Sequence, residues 1–162
     1  VTWANNRGGG GTASGTSAWT VNVAGLQIGS NVITVTARDA ANLTASKTLT
    51  VTLTLTFAFS DDPLVPQTTL VRAVHFTELR AAIDAARTAR GLTPFVWTDP
   101  ALAPGNSQVK ALHVLELRAA LNQAYQAAGR TLPTYTDAIL DPGIASIKAL
   151  HLNEVQARVR AL

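Results

Sequence analysis

Neither cysteine nor methionine occurs anywhere in the 162 residues, so disulfides, thiolate metal sites, cysteine nucleophiles and thioether ligands are excluded at the outset. Charged side chains are scarce, at 14%, and aromatic ones scarcer, at 6%, a balance more familiar in secreted proteins than in cytosolic ones. No apolar run reaches the ~18 residues that a membrane helix needs, and Val1 does not open a signal peptide, which for a secreted protein implies a mature or trimmed form. The net charge of +3 is thinly spread, with three Lys or Arg before position 58 and ten beyond it, the latter set against nine acids. That is not the concentrated basic footprint of a nucleic-acid binder. What remains is a chain with 47% hydrophobic residues, enough to build a packed core.

Up to about position 58 the pattern has period two. Leu49, Val51, Leu53, Leu55 and Phe57 alternate with five threonines, which predicts a strand over Thr48 to Phe57 with one face buried and one wet. Ile33 to Ala37, Trp19 to Val23 and the opening Val1 and Trp3 suggest three more strands. Turn signals separate them at Asn5 to Gly11, at Gly25, from Gly29 to Asn31 and from Asp39 to Asn42. The runs VTWANN, SAWTVNVAGLQIGSNVITVTARDAAN and TLTVTLTL, with the glycine loop between the first two, resemble the C-terminal two-thirds of a bacterial immunoglobulin-like domain. Such a sandwich has about seven strands, and four or five are readable here. The resemblance therefore implies an incomplete sandwich whose gap is filled by residues upstream or by a donated strand.

The second half superposes on itself at a shift of 38 residues: Phe59, Trp97 and Tyr135 coincide, then Asp61, Asp99 and Asp137, then Leu64, Leu102 and Leu140, then Pro66, Pro104 and Pro142. VRAVHFTEL, VKALHVLEL and IKALHLNEV follow at the same interval. A fixed period means repeated supersecondary units that bury a shared core. Each unit predicts a turn, a loop and one helix, with Thr69, Ser107 and Ala145 or Ser146 as N-caps and Gly91 and Gly129 as C-caps. Val71, Val74, Leu79, Ala82, Ile83 and Ala86 form the expected apolar stripe of the first helix. The third copy runs to Leu162, near the end of its helix, as a natural chain end would. Coming in threes, starting near an aromatic and an Asp, and carrying a basic residue and a Glu on the helix, these units resemble S-layer homology repeats. They have K/R-A-V/L-H-x-x-E in place of that family's threonine-arginine-alanine-glutamate run. The resemblance implies cell-wall binding by analogy, and the units also resemble C-terminal repeats of secreted bacterial proteins.

The main constellation is His75 with Glu78, His113 with Glu116 and His151 with Glu154, three residues apart on a helix face, where imidazole and carboxylate can meet. A fold-holding contact is the favoured reading; three converging histidines as a zinc site is the alternative. Asp61, Asp99 and Asp137 invite comparison with calcium loops, but no DxDxDG run surrounds them, and capping a turn fits better. Arg72, Lys110 and Lys148 suit a groove for an anionic glycan or, more simply, a solvated face. Trp3, Trp19, Trp97, Tyr125 and Tyr135 suit either sugar stacking or core plugging. Asn42-Leu43-Thr44 is a glycosylation sequon. No nucleophile elbow, phosphate loop, dinucleotide fingerprint or paired-carboxylate cleft is present.

The expectation is an α+β chain in two segregated parts: a partial immunoglobulin-like antiparallel sandwich over 1–58 and an all-α three-repeat domain over 59–162, divided at 96 and 134. No catalytic residue, metal or cofactor is expected. The functional expectation is a secreted or cell-surface structural protein that assembles with copies of itself through the strand bearing Val51, Leu53 and Leu55. The alternative is a cell-wall or glycan-binding anchor of a larger secreted enzyme or adhesin.

Overall fold

The computed structural model describes residues 1–15, 17–103, 107–141 and 146–162. The chain is α+β, with antiparallel sheets in its N-terminal part and three helices in its C-terminal part. Two compact units result, Val1–Leu55 and Thr56–Leu162. Pro104, Pro142 and Ala145, which the repeat pattern singled out, lie outside the described residues.

In the first unit β1 (Thr2–Asn5), β2 (Gly10–Thr12), β5 (Gly29–Arg38) and β6 (Thr44–Leu53) form a four-stranded sheet in the order β2-β1-β5-β6, while β3 (Ser14–Gly15) and β4 (Trp19–Thr20) pair separately. The glycine run is partly strand rather than all turn. Gly11 stands opposite Trp3, and a Cβ there would lie 3.2 Å from the indole nitrogen, so a larger residue would require the ring to shift by a few tenths of an ångström. The strand expected over Thr48 to Phe57 is observed over Thr44–Leu53, because β6 follows β5 along its full length, from Arg38 opposite Thr44 to Gly29 opposite Leu53. Beyond Leu53 the partner strand has ended, so Leu55 and Phe57 fall outside the sheet.

The pairing sorts the residues by face. Asn5, Ile33 and Leu49 stand in one row and Trp3, Val35 and Lys47 in the next; the intervening rows carry Thr2, Thr36 and Ser46, then Ala4, Thr34 and Thr48. The second face is thus almost wholly hydroxylated. The first is apolar, but it is not buried as the alternation led us to expect: Leu49 is 60% exposed. Val1, Trp19, Val21, Val23, Ile33 and Val35 line an open trough of about 500 Å³ along it. The only buried apolar side chains described in this unit are Ala13 and Ile33.

In the second unit α1 (Ala73–Thr88), α2 (Ala111–Ala127) and α3 (Ala149–Ala161) pack pairwise, each touching the other two. Phe76, Leu79 and Ile83 from α1, Val114, Leu117 and Leu121 from α2, and Leu152, Val155 and Val159 from α3 are buried, as is Leu64 from the first loop. Val71 lies ahead of α1 and Val74 is half-buried, so the stripe begins later than its sequence suggested. Gly91 and Gly129 take left-handed conformations, φ 75° and 64°. Leu92 N–H donates to Arg87 C=O and Arg130 N–H to Tyr125 C=O, the six-to-one bond of a Schellman ending. Since Leu117 is fully buried on the middle helix, Leu117→Ala should cost about 2–5 kcal/mol in urea unfolding. A loss below the bottom of that range would show that this position can collapse around the cavity.

Candidate functional site

The predicted N-caps are replaced by something less familiar. Thr69 Oγ1 accepts from Val65 N–H and Ser107 Oγ from Ala103 N–H, closing the loops that precede the helices. The N-cap positions belong to Arg72, Lys110 and Lys148, whose side chains have no oxygen with which to cap a helix. The third helical residue supplies the bond instead. His75 Nδ1 accepts from Arg72 N–H at 3.1 Å, His113 Nδ1 from Lys110 N–H at 3.3 Å and His151 Nδ1 from Lys148 N–H at 3.3 Å. Imidazole thus takes the part that Glu or Gln plays in a capping box.

Because a backbone N–H can only donate, Nδ1 presents its lone pair and Nε2 carries the hydrogen. Nε2 faces the Oδ2 of Asp61, Asp99 and Asp137 at 3.0, 3.2 and 3.1 Å. The same oxygen also binds the preceding cation: Arg72 on Asp61, Lys110 on Asp99 at 2.9 Å and Lys148 on Asp137 at 2.6 Å. Each aspartate sits in the left-handed region, φ 50–51°, a conformation that Asp tolerates better than most residues. All three histidine side chains are fully buried. The clasp thus welds the turn, the basic residue and the helix start of each copy.

The glutamates go elsewhere. Contrary to the expected His–Glu contact, Glu78 accepts from Ser60 N–H and Oγ–H, Glu116 from Thr98 N–H and Glu154 from Thr136 N–H. A residue three positions along a helix is a neighbour, but the turn preceding the helix offers His a carboxylate and Glu an orphan N–H, and both take those longer-range partners.

A second device escaped the sequence reading. Arg80 lies over the Trp97 ring, donates to the carbonyls of Thr98 and Asp99, and faces Glu116 at 3.5 Å. Arg118 repeats this on Tyr135, Thr136, Asp137 and Glu154. Each arginine therefore latches its own copy to the next, through cation–π stacking and charge-assisted bonds together. The signal lay in the triplets ELR, ELR and EVQ, where Arg80 and Arg118 align with Gln156. Arg87 adds bonds from α1 to Ala120 C=O and Gln123 on α2. In the sheet unit buried Asn31 was likewise missed; its amide holds the loop at Gln27 and Gly29 and meets Asn5.

These contacts engage most of the residues that the sequence singled out. Both ring nitrogens of every histidine are engaged, and among the described residues no three His, Asp or Glu side chains converge as a metal would require. Trp97 donates to Asp84, and Tyr125 and Tyr135 to Arg158 C=O and Asn122; Trp19 remains exposed. Val51 and Leu53 are already paired within β6, opposite Asn31 and Gly29. Comparison with protein-family models, curated proteins and solved structures gave no match.

The bond from His75 and that from Arg72 hold the Asp61 carboxyl below the ordinary range; Lys110 then His113 do so for Asp99, and Lys148 then His151 for Asp137. The stability these carboxylates bring is complete above the ordinary value of 3.8 and is lost as pH falls through their lower folded values. Acid titration of the helical circular dichroism should show this loss below that value, and Asp99→Asn should flatten it by removing one of three proton uptakes. His113→Ala leaves Lys110 N–H unpaired and should cost about 1–3 kcal/mol at neutral pH in urea unfolding; an unchanged midpoint would mean that water replaces the imidazole without loss.

Proposed function

We propose that the chain is a non-catalytic, extracellular structural protein. In this reading an incomplete immunoglobulin-like sandwich is completed by a second copy of the chain, and a three-copy helical repeat follows it in the sequence as a self-contained unit. The observation that carries this reading is the apolar face of the sheet, left uncovered at Leu49 and half-buried at Val35, next to an edge strand of ten residues. A sheet unit with so few buried side chains lacks the apolar burial that stabilises a small domain, and a long edge is a template for pairing. A second copy offers a surface of the same chemistry, since two apolar sheet faces pack aligned about 10 Å apart. If a strand is donated instead, the stretch from Thr54 to Phe57 fits better than Val51 or Leu53, because Leu55 and Phe57 continue the alternation outside the sheet. Head-to-tail donation yields a fibre when its rotation does not close into a ring.

The extracellular setting rests on the lack of Cys and Met and on the low charge. The non-catalytic character rests on the saturation of the histidines and aspartates by fold-holding bonds. A cell-wall or glycan anchor is the second reading. Arg72, Lys110 and Lys148, about half exposed at equivalent places, favour it, while their pairing with aspartate weakens it.

Size-exclusion chromatography with light scattering, at rising concentration, should show masses at multiples of 17.0 kDa. Leu49→Lys should return the chain to a monomer with its helical signal unchanged. A stable wild-type monomer with a folded sheet at high concentration would remove the assembly reading and leave the anchor in front.

A further inference from the structure

The three junctions between copies are not equal. From the first copy to the second and from the second to the third, the latch is a buried arginine, Arg80 or Arg118, each with a side chain 6% exposed. From the third back to the first the aligned residue is Gln156, which is 2% exposed and too short to do the same work. Among the described residues its Nε2 has no hydrogen-bond partner. The glutamate of that junction has adjusted. Glu116 and Glu154 each turn one oxygen toward an arginine, whereas both oxygens of Glu78 accept from Ser60.

A guanidinium does cover the aromatic ring at the third junction, but it arrives from one helical turn further along. Arg160 lies over Phe59, 4.8 Å from the ring centroid, and pairs with Asp62. These two side chains are 37% and 30% exposed, so solvent and salt reach the pair that closes the ring. The other closing bonds are between Asn153 and the backbone of Leu64, at 2.9 and 2.8 Å, and from Arg90 to Leu162 C=O at 2.6 Å. Meanwhile α3 and the turn ahead of it are held to α2 by the buried Arg118, which faces Glu154 and donates to Thr136 and Asp137 C=O, and by Tyr125 Oη–H on Arg158 C=O.

From this asymmetry we infer that the helical unit is a ring with one seam, between its third and first copies, and that it is built to open there. Opening swings α3 away from α1 and from the Phe59–Leu64 loop while both buried-arginine junctions stay latched. It uncovers Phe59, Leu64 and the apolar side of α3, including Leu152, Val155 and Val159, all but Phe59 fully buried or nearly so in the closed ring. A local opening of this kind costs less than global unfolding and gives the unit a second, stickier state. The inference is independent of sheet-mediated assembly.

Hydrogen exchange of the full chain, followed by mass spectrometry, tests it. The amides of α3 and of the segment around Leu64 should exchange together and several-fold faster than those where α1 meets α2. Molar salt should speed exchange at the seam more than at the α1–α2 junction, whose arginine is buried. Arg160→Ala should accelerate seam exchange, and Gln156→Arg, which extends a guanidinium toward Ser60 C=O and Glu78, should slow it. Simple fraying of a helix end would touch only the last turn of α3 and would ignore Gln156→Arg. Exchange of α1, α2 and α3 in step, or a seam indifferent to salt and to Arg160→Ala, would overturn the inference; should Gln156→Arg misfold, the salt and Arg160→Ala arms still decide it.

Discussion

One carboxylate oxygen in each copy, the Oδ2 of Asp61, Asp99 or Asp137, holds the helical unit together by serving two donors, an imidazole and a cation. The other imidazole nitrogen then takes the N–H at the head of the helix, so a turn, a loop end and a helix start are fixed by four groups. A helix with a basic N-cap begins at an electrostatic disadvantage, because its N-terminus already carries partial positive charge. The aspartate offsets both the cation and the helix end. This explains why basic residues sit without penalty where Ser or Asp would ordinarily stand.

From that clasp outward the packing follows. With the start of each helix set, Glu78, Glu116 and Glu154 are aimed at the backbone of their own turns, and Arg80 and Arg118 at the turns of the next copy. Asp84 and Asn122, also 38 residues apart, bind the Trp97 and Tyr135 side chains from the far side. Each aromatic is consequently gripped by the helix of the copy before it. The ring closes because the same logic, in altered form, joins α3 to Phe59 and Asp62.

Much of this architecture was readable in the residues. The period of 38 located the three helices, and the period of two located β5 and β6 and told apolar from hydroxyl side chains. What could not be read was the identity of partners. Whether His113 meets Glu116, three positions away on its helix, or Asp99, fourteen positions back, depends on where the turn places its carboxylate, which spacing along a helix does not reveal. Strand ends were misplaced for a similar reason: β6 stops at Leu53 because β5 starts at Gly29, a property of the pair and not of either strand. Burial was the largest gap. Alternation marks Leu49 as belonging to an apolar face, and it carries no information about whether anything lies against that face.

The hairpin that joins β5 to β6 bears on more than its own turn. Asp39 accepts the Leu43 N–H through its side chain at 2.9 Å, and Asn42 turns the chain in the left-handed region, φ 68°. Sliding β6 by a single residue against β5 would exchange its two rows, sending threonine hydroxyls toward the apolar trough and Leu49 and Val51 toward the hydroxylated side. In a sheet with so little buried against it, side-chain packing gives weak protection against such a slip. A short polar turn therefore acts as the index mark of the whole strand, deciding which side of the sheet is oily and which is wet.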